Sequence, residues 1–158
     1  MRNRIERVER FMDEIVAAIA DEEWKRSGYV HLHGVAQACA LLAMRRGVDV
    51  ELATIAGLMH DIKSYSTLDY SDHARLGGQM AKEALRMMGL FTPQEMEVVS
   101  RAISLHSDKA GQHDALTEVL IDADVLQHSL RDPLCPPKPH EAARFEALLA
   151  ELGAQNRL

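Results

Sequence analysis

Three features of the sequence predict an all-α fold. Apolar residues recur at helical spacing in seven stretches, no stretch alternates with period two for long enough to make a strand, and the abundant apolar side chains are helix formers. Only 4% of the 158 residues are aromatic, whereas Ala, Leu and Met dominate, with eight methionines. A composition of 47% hydrophobic and 27% charged residues is that of one domain with a single sizeable core.

The first helix is expected over about residues 3 to 22, the second over 31 to 46 and the third over 50 to 61, with Asp49 as its N-cap. A fourth over 72 to 88 ends at Gly89, the residue type that most easily adopts the left-handed conformation at a C-terminal cap. The stretch TPQE (92 to 95) is a capping box, Thr92 with Glu95, that places Pro93 at the first position of a fifth helix over 93 to 107. A sixth follows over 114 to 130. DPLCPPKP (132 to 139) cannot be helical and leads into a last amphipathic helix over 140 to 152, expected to pack on the domain or on a partner chain. RRGVD (45 to 49) and GLFT (89 to 92) are short connections that fold helices two and three, and four and five, into antiparallel hairpins.

Charge and patterning exclude several partners. The net charge is −6, and no Lys/Arg-rich stripe with interleaved aromatics appears, so a nucleic-acid polymer is not an expected partner. No window is apolar enough to span a bilayer, and the N-terminal stretch is polar and periodic, which predicts a cytoplasmic protein. Cys39 and Cys135 have the spacing of neither a disulfide framework nor a zinc site.

Of the eight histidines, four fall where expected helices begin or end. His31 falls at the expected start of the second helix and His60-Asp61 at the end of the third, so the first hairpin brings them together. His73 opens the fourth helix and His106 closes the fifth, so the second hairpin gathers another pair. Asp122 and Asp124 interrupt the apolar run VLIDADVL, where a carboxylate without a counter-charge is costly. His31, His60, Asp61, His73, His106 and Asp124 then supply four imidazoles and two carboxylates, a set suited to borderline divalent ions. Six ligands exceed what one catalytic ion takes while keeping an open position, so two ions with Asp61 as bridge are expected. The plain alternative is a helix-end hydrogen bond at His60-Asp61, a second cap at Asp122 and Asp124, and exposed histidines elsewhere.

HLHGV (31 to 35), GLMHDI (57 to 62) and DADVLQH (122 to 128), in that order, resemble the HD-domain superfamily of metal-dependent phosphohydrolases, over about residues 28 to 130. The resemblance implies a helical core holding metal at one end of two hairpins, with residues 131 to 158 as an added loop and helix. Its register, in which the ligand precedes a helical valine by four, selects His31 over His33 through Val35. An aspartate after alanine likewise selects Asp124, with Asp122 in support. DHARLGGQMA (72 to 81) and AISLHSDK (102 to 109) resemble the dinuclear branch that includes bacterial HD-type diadenosine tetraphosphate hydrolases, which implies His73 and His106 as ligands of a second ion. No His-Asp-x-x-Glu-Asp and no Gly-Tyr-Pro extension appears, against guanosine tetraphosphate hydrolases and cyclic di-guanylate phosphodiesterases. One departure stands out: where dinuclear relatives often read His-Asp-Ile-(Gly/Ala)-Lys, Lys63 comes one position early and is rotated about 100° around a helix.

The function these residues imply is hydrolysis of a phosphoester or phosphoanhydride bond in a small, nucleotide-like substrate. Two divalent ions (Fe, Mn, Zn, Ni, Co or Mg) are the expected cofactors. Asp61 is the central catalytic carboxylate, Lys109, Lys63 and Arg75 are candidate phosphate-binding cations, and Asp72 or Asp108 is the candidate general acid. A dinuclear-iron oxygenase and a non-catalytic metal- or nucleotide-binding regulatory domain are the alternatives, and a homodimer would suit the amphipathic terminal helices.

Overall fold

The computed structural model describes residues 4–154, which hold eight α-helices and no strand. They are α1 (Arg4–Ala17), α2 (Glu22–Arg46), α3 (Val50–Met59), α4 (Ile62–Thr67), α5 (His73–Met88), α6 (Pro93–Leu105), α7 (Ala115–Arg131) and α8 (Ala142–Leu152). No helix among the described residues is long and apolar enough to cross a membrane.

Most of the expected punctuation is in place. The Asp49 carboxylate accepts from Leu52 N at 2.9 Å and caps α3. Thr92 and Glu95 form the reciprocal capping box of α6 with Pro93 in its first turn, and Gly89 ends α5 at φ 65°. Two boundaries differ from the sequence reading. The stretch 3 to 22 is not one helix: α1 stops at Ala17, and Asp21, accepting from Trp24 N, starts α2 nine residues before the expected start at 31. The helix expected over 50 to 61 breaks at His60 and Asp61 and resumes as α4.

The core lies between the two hairpins and α7. α2 packs against both α3 and α7, α5 pairs with α6, and α6 contacts α3 and α7. Val35, Cys39 and Leu42 from α2 meet Ile55 and Met59 from α3, Ile103 from α6 and Leu120 and Ala123 from α7 in one buried cluster. Backbones come unusually close at Gly57, where a Cβ would lie 2.8 Å from Ala36 Cα. That contact draws the end of α3 onto the middle of α2 one turn before His60. α8 packs on α7 and buries Phe145 and Leu148.

Candidate metal centre

His31 is not at the start of a helix, as expected, but in the third turn of the longer α2. α3 is the shorter arm of the hairpin, so its end meets α2 at mid-length, and His31 Nε2 lies 3.0 Å from His60 Nε2. His33, on another face of α2, pairs instead with Glu9 and Asp13 of α1.

Four of the histidines share one local device. His60 Nδ1–H donates to Gly57 O at 2.8 Å, and His106 Nδ1–H to Ile103 O at 2.7 Å. His73 Nδ1–H donates to Tyr70 O at 3.1 Å, and His31 Nδ1–H to Gln127 Oε1 at 2.7 Å. Three of these acceptors are carbonyls three residues earlier in the chain, so the local fold itself sets the ring. In every case the hydrogen on Nδ1 is engaged and Nε2 faces inward, the orientation that metal-binding imidazoles require.

The four Nε2 atoms surround Asp61. Its Oδ2 lies 3.4 Å from His31 and 3.5 Å from His60, while its Oδ1 lies 3.6 Å from His73 and 3.7 Å from His106. Asp124 Oδ1 adds to the first pair, 3.5 Å from His31 and 3.8 Å from His60. Asp61 Oδ1 is buried and has no hydrogen-bond partner among the described residues. An unpaired buried carboxylate oxygen facing two imidazole nitrogens is what a bound cation would resolve. Donor chemistry agrees: His31, His60 and Asp61 form one group, and Asp61, His73 and His106 another, each with ligand atoms within 4.8 Å of one another.

Protonation favours the same use. Burial pushes His60 down to about 4 and lowers His106 as well, so both rings are neutral at physiological pH. Burial would raise Asp61, but His60, His31 and His106 outweigh it and hold the carboxyl well below its usual range. Burial would likewise raise Asp124, and His60 and Lys109 keep it ionised.

The centre forms the floor of a cavity of about 480 Å³. Tyr65, Tyr70, Arg131, Lys138 and His140 belong to its walls. Lys109 reaches it, donating to Asp124 Oδ2 at 2.8 Å and to Glu141. The other cations and acids named from sequence do not line it. Lys63 is buried and turned toward the 69 to 71 turn, and Arg75 pairs with Asp72, both exposed, on the outside of α5. Asp108 is exposed and accepts from Gly111 N in its own loop. Asp122 does not support the centre either, because Arg46 and Arg144 each approach its carboxylate to 2.7 Å and satisfy it.

Three contributors went unassigned in the sequence reading. His128 follows Asp124 by four on α7, presents Nε2 3.4 Å from Asp124 Oδ1, and stacks on His31 with ring centroids 5.3 Å apart. That i,i+4 spacing was readable as a shared face. Gln127 and Glu141 were not readable. Gln127 orients His31 across two helices, and the buried Glu141, from the segment before α8, accepts from Lys109 and pairs with His128.

Residues 28–129 match the family model described as HD domain. A predicted HD superfamily hydrolase from an uncultured Thermotogales bacterium, solved by crystallography, superposes with a TM-score of 0.65 at 25% identity, over 91% of this chain and 88% of that one. Ribonuclease Y of Lawsonia intracellularis is 31% identical over 94 residues, 59% of this chain. The chain spans only 16% of the length of that relative.

Proposed function

This chain belongs to the HD domain family, and from that premise we propose that it is a dinuclear phosphohydrolase. It cleaves a phosphoester or phosphoanhydride bond in a small, nucleotide-like substrate. The observation that carries the reading is Asp61, whose two oxygens face two separate histidine pairs.

His31, His60, Asp61 and Asp124 would hold one ion, and Asp61, His73 and His106 the other. Divalent ions there would supply an activated water at neutral pH and counter-charge for the oxygens of a phosphoryl group. The protein's part is to keep His60 and His106 neutral, to fix all four rings and to shape the cavity above them. Lys109 stands beside Asp124 with an ammonium toward the cavity, positioned to hold a phosphate oxygen. Asp72 and Asp108 point elsewhere, so neither serves the leaving group. The cavity, at about 480 Å³, suits a mononucleotide-sized substrate.

The test is metal content per chain, by elemental analysis of anaerobically purified protein, together with turnover of a phosphate-ester panel with and without dioxygen. Two ions per chain and oxygen-independent phosphate release are expected. Asp61→Ala should lose both ions and all turnover while its helical circular dichroism is retained. Full metal and turnover in that variant would overturn the reading, and oxygen-dependent product formation would replace it with an oxygenase.

A further inference from the structure

Lys63 is 5% exposed, an unusual place for an ammonium, and it does not face the cavity. Its nitrogen donates to Asp69 O at 2.8 Å, to Ser71 O at 2.9 Å and to the Asp69 carboxylate. A lysine has three donors, and all three are spent on one three-residue turn.

That turn is strained at both flanks. Leu68 at φ 55° and Asp72 at φ 48° are the two non-glycine residues of positive φ among those described. Such conformations are costly for residues other than glycine and persist only where surrounding contacts enforce them. Between them lies Tyr70, whose carbonyl receives both the backbone N–H of His73 at 3.3 Å and the His73 Nδ1–H at 3.1 Å. With Nδ1 so engaged, Nε2 faces Asp61 Oδ1 at 3.6 Å and Ser107 Oγ at 3.2 Å.

We infer that Lys63 is a positioning residue for the ion held by Asp61, His73 and His106. It fixes the 69 to 71 turn, the turn fixes the Tyr70 carbonyl, and that carbonyl fixes the tautomer and direction of His73. The other three imidazoles need no such device, because Gly57 O and Ile103 O belong to the helix ends that carry His60 and His106, and Gln127 is held within α7. His73 opens its helix, so its acceptor comes from irregular backbone. The early position of the lysine after His60-Asp61 thereby acquires a role away from the phosphate.

The inference rests on the two-ion reading, and the experiment separates them. Cobalt(II) alone is titrated calorimetrically into metal-free protein, unsubstituted and as Lys63→Met, Lys63→Arg and Asp69→Ala, with thermal melting of each. Unsubstituted protein should bind two ions. Lys63→Met should weaken one of them about 10- to 100-fold and leave the other unchanged, the scale expected for loss of a group that orients a ligand. Asp69→Ala, which removes one of the three acceptors of Lys63, should weaken the same ion less, and Lys63→Arg should restore part of the loss. Unchanged affinities in both Lys63→Met and Asp69→Ala would overturn the inference and leave the two-ion reading standing. So would equal weakening of both ions in step with a lower melting temperature. A single ion on unsubstituted protein would overturn the two-ion reading itself, and this inference with it.

Discussion

At the scale of single residues, the centre is governed by what sits behind each imidazole. Gln127 has one partner at the site, His31 Nδ1–H, and reaches it across the α2–α7 contact. Replacing it by leucine keeps the volume and strands that N–H, so Gln127→Leu should weaken metal binding by about 10- to 100-fold with little loss of helix. Competition with a chromophoric chelator reads this directly. The residues that were legible in the sequence are those whose chemistry is local. His60-Asp61, His73, His106 and Asp124 announce themselves at helix ends or inside apolar runs. Gln127, Glu141 and the turn-binding Lys63 do not, because a hydrogen bond between distant segments leaves no periodicity to read.

At the scale of elements, the fold was legible wherever a cap or a short turn marked a boundary, as at Asp49, Gly89 and Thr92. It was not legible at the start of α2, where EEWKRSGYV offers few apolar positions and carries Gly28. The signals present there were Asp21 and two acidic residues in the first turn, which favour a helix N-terminus by hydrogen bonding and dipole rather than by burial. Nor was α4 legible, since IKSYST is short and rich in hydroxyl side chains. Helix approach sets the reach of the site: a Cβ at residue 57 would meet Ala36 Cα at 2.8 Å and Cys39 Sγ at 3.0 Å. Gly57→Ala should therefore force α2 and α3 apart and cost about 1–3 kcal/mol in urea unfolding. Unlike a change at the mouth of the cavity, it should also loosen metal, because the separation moves His60 from His31.

At the scale of the whole molecule, folding and metal binding are linked. Ions that bind only the folded chain stabilise it by about 2.7 kcal/mol at 100 times their dissociation constant, so metal should raise the melting temperature and a chelator should lower it. Acid should expose the same linkage in metal-free protein. His60 is held down to about 4 by burial and His106 is lowered likewise, so between the ordinary imidazole value near 6.5 and about pH 4 the unfolded chain binds more protons than the folded one. Stability should fall as pH drops through that window. His31, where burial is outweighed by Asp61 and Asp124 and the value is raised, works in the opposite sense and offsets part of the loss. Asp61 and Asp124, both lowered, contribute above the ordinary carboxylate range and begin to fail only at the acid end. Melting curves of chelator-treated protein between pH 7 and pH 4 measure the sum, and a rising melting temperature would contradict it.

The segment that carries Glu141 lies beyond residue 129, where the match to the family model ends, and so do Arg131, Lys138 and His140 of the same cavity. The candidate ion ligands thus all lie within 28 to 129, whereas the wall facing them is shared between that stretch, through Tyr65 and Tyr70, and the segment that follows it. Substitutions in 130 to 141 should redraw what the cavity admits while His31, His60, Asp61, His73, His106 and Asp124 stay untouched. Exchanging that stretch between relatives should transfer substrate preference in either direction, with the bond-breaking chemistry left in place.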